Sequence, residues 1–71
     1  MSTNKNILNF IIREKSLGNS FQELNIQMRI MMKGVNVKGI LDGTVPDTYD
    51  ITEKLKEIAA EFQVDLGKMK G

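Results

Sequence analysis

From Glu23 to Gly43 the chain reads ELNIQMRIMMKGVNVKGILDG, a run that satisfies two incompatible periodicities. As a helix it gathers Phe21, Leu24, Met28, Met31, Met32 and Val35 on one face. As a strand it alternates Leu24, Ile26, Met28 and Ile30 with Asn25, Gln27 and Arg29, the period-2 pattern of a sheet with one wet face. The residues after Met32 favour the strand. If Lys33-Gly34 is a two-residue turn, Met32 faces Val35, Ile30 faces Val37, Met28 faces Gly39 and Ile26 faces Leu41, so one side is apolar apart from a glycine. The other side pairs Met31 with Asn36, Arg29 with Lys38, Gln27 with Ile40 and Asn25 with Asp42. An unbroken helix would carry Gly34 and Gly39 in its interior at about 1 kcal/mol each, and X-Gly is a hairpin turn signal. The expectation is a β-hairpin over residues 24–42, with Met28 and Met32 filling its inner face.

The flanks read as helices. In NKNILNFIIREKSLG, Ile7, Leu8, Ile11 and Ile12 form one stripe, Thr3 or Asn4 can cap the start, and Gly18 marks the stop, which predicts a helix over residues 4–16. Ser20 and Glu23 have the spacing of a capping box, enough for one helical turn before the hairpin. DGTVPDTYD holds the only proline and reads as a loop over 43–49. Asp50 with Glu53 makes a second capping box, and Ile51, Leu55, Ile58 and Phe62 continue a helical stripe. A last helix is expected over 50–66 with a basic tail at 67–71.

Helix, hairpin and helix make a single small α+β domain of order α-β-β-α; the alternative is an all-α three-helix bundle in which residues 21–35 are helical. At 71 residues such a domain buries only about 60% of the surface its unfolded chain exposes. The chain has no cysteine and no histidine. Disulfides, the common zinc sites, cysteine nucleophiles and histidine acid–base chemistry are thereby removed. Self-association is the remaining way to bury more apolar surface, and unpaired hairpin edges point the same way.

The composition narrows function mainly by exclusion. No phosphate-binding glycine motif occurs, Asp42, Asp47 and Asp50 do not have the spacing of a calcium loop, and no carboxylates are placed as an acid–base pair. The expectation is a non-enzyme without cofactor or metal. A net charge of +1 exerts no global pull on polyanions, no run is long enough for a membrane span, and the polar MSTNKN start suggests a cytoplasmic protein, of bacterial or phage type by its Asn, Lys, Ile and Met usage. Arg29 and Lys38 would face each other across the hairpin beside Lys33, a like-charge arrangement that an incoming anion would relieve. Met31 and Ile40 would form a small outward apolar patch. The candidate site is thus Arg29, Met31, Lys33, Lys38 and Ile40. The expected activity is that of a small regulatory, adaptor or inhibitor protein engaging a macromolecule through the outer hairpin face. The alternative is a nucleic-acid or small-anion binder that uses the basic residues of the same face.

Two runs carry resemblances. ILDGTVP followed by LKEIAAEFQVDL is similar to the end of a phage-repressor DNA-binding domain, which implies a helix-turn-helix upstream and DNA as partner. With Gly34 at the turn glycine of that motif, Arg29 and Lys33 fall where inward apolar side chains are required and Ile30 where a small residue is needed. IMMKGVNVKGILDG resembles the first hairpin of Sm-like RNA-binding proteins, but the apolar third strand of that fold is missing after Gly43. Neither family is assigned.

Overall fold

Four helices and a closing 3-10 turn make up the computed structural model, which describes residues 3–69. They are α1 (Thr3–Ser16), α2 (Ser20–Met32), α3 (Val37–Asp42) and α4 (Tyr49–Glu61), with the 3-10 turn at Leu66–Lys68. No strand occurs among the described residues, so the α+β expectation and its hairpin are overturned. The helical alternative holds for the disputed run up to Met32, but with four helices in place of three.

The hairpin fails because period 2 was the sum of two helical pairs. Ile26 and Ile30, four apart, point into the core, while Leu24 and Met28, also four apart, point outward. A helix that is apolar on two opposite faces produces the same alternation as a half-buried strand. Gly34 is accommodated without a strand because α2 stops before it, whereas Gly39 lies inside the short α3. Lys33 caps α2, Gly34 turns the chain with φ +94, and Asn36 caps α3 by accepting a hydrogen bond from the Gly39 amide at 3.0 Å. A left-handed φ at Gly34 costs nothing without a Cβ. Met28 and Met32, expected inside, are exposed.

Helix α1 is the hub, packed against α2, α3, α4 and the C-terminal turn. Its Ile7, Leu8, Ile11 and Ile12 meet Ile26 and Ile30 of α2, Val35 of the turn, Val37 and Ile40 of α3, and Leu55, Ile58, Ala59 and Phe62 from α4 and its cap. The capping residues differ from those expected. Asn19, one residue before Ser20, caps α2 through its side chain, accepting from the amides of Phe21 and Gln22. Thr48, two residues before Asp50, caps α4 by accepting from Ile51. Asn4 does not cap α1 but is a buried latch: its Nδ2 donates to the Thr48 carbonyl at 3.2 Å and its Oδ1 accepts from the Thr52 hydroxyl at 2.5 Å. Asp47 covers the start of α1 from the loop, accepting from the Thr3 amide at 2.7 Å. Carboxylate, amide and hydroxyl thus tie the N-termini of α1 and α4 together.

Helix α4 ends at Glu61, short of the expected residue 66, because Gln63 takes a left-handed φ of +59 and the Val64 amide turns back to the Ala59 carbonyl. Of the expected basic tail, Lys68 belongs to the 3-10 turn, and residues 70 and 71 lie outside the described region. Among the described residues no helix is long and apolar enough to cross a membrane.

Candidate functional site: the outer face of the second helix

Helix α2 buries Ile26 and Ile30 against α1 and α3, yet its opposite side is also apolar. Phe21, Leu24, Met28, Met31 and Met32 are 51–85% exposed. At 3.6 residues per turn they fall within about 100° of the helix circumference, diametrically across from the two buried isoleucines. Their combined apolar surface is on the order of 500 Å², at the upper end of what monomeric proteins leave open in one patch. A surface helix needs one apolar stripe to dock, and this one carries two. Within the stripe no position is charged; Ser20, Asn25 and Gln27 edge it with uncharged polar groups.

The five residues singled out from the sequence are dispersed by the true fold. Met31 belongs to the stripe, and Arg29 stands beside it. Lys33 is half-buried at the α2 C-cap and pairs with Glu61 at 2.7 Å. Lys38 is exposed on α3, on a different element from Arg29, so the repulsive cross-strand pair does not exist. Ile40 is buried in the core and offers no surface.

Arg29 and Lys33 share one ring. The Arg29 guanidinium lies 5.1 Å from the centroid of Phe62 and the Lys33 ammonium 5.8 Å from it. Both are within range of attraction to an aromatic face. Lys33 in turn holds the Glu61 carboxyl below its ordinary range, by hydrogen bond first and by charge second. In chain order α2, a four-residue turn holding the left-handed Gly34, and the six-residue α3 follow one another.

A cleft of about 320 Å³ opens between that turn and the start of α4, walled by Val35, Ile40, Val45 and Ile51 with Asp50 and Lys54 at its rim. It is at the small end of ligand pockets and has few convergent polar groups. Among the described residues, no three acidic side chains gather closely enough to hold a metal ion. The signal for the α2 face was present in the sequence as the helical reading of Phe21 to Met32, which the strand alternation of the same residues outweighs. No protein family, curated protein or solved structure matches the chain.

Proposed function

We propose that this is a small non-enzymatic regulatory or adaptor protein that binds a protein partner through the outer face of α2. The observation that carries it is the second apolar stripe, five large side chains long, on a helix whose first stripe already supplies its docking to the core. Leaving it in water forgoes roughly 25 cal/mol for each Å² that a partner would cover. Methionine makes up three of the five positions, and its flexible, polarizable side chain suits a surface that adapts to what it meets. A cytoplasmic setting suits a chain of this size without cysteine. The test is a photo-crosslinking residue placed at Met28, with the same residue at Ala60, exposed on α4, as control. Adducts formed in extract from position 28 and absent from position 60 are expected; equal yields at both would refute the reading.

A second reading, DNA binding, is favoured by the helix-turn-helix order of α2 and α3 with Gly34 in the turn. Such motifs read bases with the start of the second helix. That helix here is six residues long and exposes one cation, Lys38, with Asp42 at its end. Phosphate contacts by several cations normally supply most of the affinity. Fluorescence anisotropy with duplex DNA at low and moderate salt separates the readings: a steep loss with salt supports DNA, and no binding at low salt removes it.

A further inference from the structure

We propose that the groove between α1 and the C-terminal turn binds one nucleotide of a single-stranded nucleic acid: the base on Phe10, its edge against Asn6 or Asn9, the flanking phosphates at Arg13 and Lys68. The groove shares no residue with the α2 face. Its first wall is the outer side of α1. The isoleucines and Leu8 of that helix fill the core, while Asn6, Asn9, Phe10 and Arg13, spaced at i, i+3, i+4 and i+7, fall within about 100° on the opposite side. The second wall exists because the chain reverses after α4. Gln63 takes its left-handed φ, Val64, Leu66 and Met69 pack against the core, and the Asp65 carboxylate accepts from the Gly67 amide at 2.9 Å. The 3-10 turn is thereby anchored against α1, which sets Lys68 and Met69 at a groove of about 480 Å³. That is large enough for a small ligand.

The lining selects the ligand. Two cations from different elements stand at the groove and no carboxylate does, on a chain whose net charge is only +1. Glu14 and Asp65 border a neighbouring hollow that shares Lys68, yet among the described residues neither Arg13 nor Lys68 is held in an ion pair. Phe10 is half-buried and stands outside the core cluster, an aromatic ring left beside free cations. An acidic peptide could use the cations but would leave the ring and the amides idle. A nucleotide uses all three: phosphate for the cations, a flat base for the ring, and base-edge donors and acceptors for the exposed amides of Asn6 and Asn9. The groove is open to solvent, which suits a strand passing through it. A free nucleotide gains its affinity from enclosure.

The test is fluorescence anisotropy on the 71-residue chain with labelled mixed-sequence single strands of about ten nucleotides, as RNA and as DNA. Binding is expected, and two phosphate contacts should weaken it about sevenfold between about 50 and 200 mM salt. Arg13→Ala removes one contact, so the remaining salt effect should be about two- to threefold. Phe10→Ala should weaken binding about tenfold, and Lys68→Glu, at an exposed position, should abolish it with Tm unchanged. Since Phe10 is half-buried, NMR on the wild-type chain supplies a measurement free of folding effects. Added strand should shift the amide signals of residues 6–13 and 66–69 and leave those of residues 20–32 in place. No binding at low salt, shifts confined to other residues, or displacement by polyglutamate as readily as by unlabelled strand would overturn the proposal. A nucleoside monophosphate binding as tightly as the strand would overturn the strand as occupant.

Discussion

Replacing Gly39 by alanine sets helix propensity against packing, and the structure decides the sign. Gly39 lies inside α3, where alanine is favoured over glycine by about 0.5–1 kcal/mol. On propensity alone the change should stabilise. A Cβ at Gly39, however, would fall inside the contact distance of Val45 Cγ2 and 2.7 Å from Asn36 Nδ2. Neither neighbour yields freely. Val45 is β-branched, packs against the core, and its amide is bonded to the Gly39 carbonyl at 3.1 Å. Asn36 is the α3 cap, and its Oδ1 accepts from the Gly39 amide. Overpacking costs about 1–3 kcal/mol and a disturbed cap about 0.5–2 kcal/mol, so after the propensity gain the net is a loss of about 0.5–4.5 kcal/mol, centred near 2.5. For a domain of this size each kcal/mol moves Tm by about 4–8 °C. Thermal melts followed by circular dichroism should therefore show Gly39→Ala melting several degrees low, and Val45→Ala in the same chain should recover part of the loss as a coupling of at least about 0.5 kcal/mol. A raised Tm, or strictly additive effects of the two changes, would refute the steric account.

Three further outcomes follow from the latch, the helix end and the ion pair. Asn4→Ala should cost about 1–3 kcal/mol in denaturant unfolding, because it removes a buried hydrogen-bonded amide, while Asp47→Asn, which weakens a charged cap at the exposed start of α1, should cost about 0.3–1 kcal/mol; equal losses would refute the greater weight given to the buried latch. Gln63→Gly should raise Tm, since a non-glycine residue in the left-handed region carries about 1–2 kcal/mol of strain, partly offset by the greater freedom of glycine in the unfolded chain; a lowered Tm would mean that Gln63 packs in a way its exposure does not suggest. Glu61 has its folded pKa lowered by Lys33, so its stabilising contribution is fully present above the unfolded carboxylate value of about 4.3 and disappears as pH falls through the lowered one. An NMR titration should place its carboxyl below the ordinary glutamate value, and Lys33→Met should move it back toward that value; an unmoved midpoint would refute the pair.

Much of the local structure was legible. The stripe of Ile7, Leu8, Ile11 and Ile12 and that of Ile51, Leu55, Ile58 and Phe62 could serve only helices with one buried face, and α1 and α4 lie where those stripes run. The caps were misplaced by one or two residues, since Asn19 and Thr48 compete with Ser20 and Asp50 on equal chemical terms and only the emerging chain direction selects between them. Asn4 and Thr52, 48 positions apart, leave no mark in local pattern, yet their hydrogen bond joins the starts of two helices.

The central segment shows where sequence stops and tertiary structure begins. The residues from Phe21 to Met32 determined that this run would be apolar on two sides, and the absence of cysteine and histidine determined which chemistries were closed to it. They did not determine whether the two sides were the faces of a ribbon or of a helix, because two i, i+4 pairs offset by two positions are indistinguishable from strand alternation. Docking against α1 settled that: Ile26 and Ile30 enter one core already lined by its isoleucines, while Leu24 and Met28 are left in water. The same docking brought Phe62 beneath Arg29 and Lys33, turning two cations that looked like an anion site into the cover of a ring. Such choices belong to contacts between residues distant in the chain, whose free energy no local window contains.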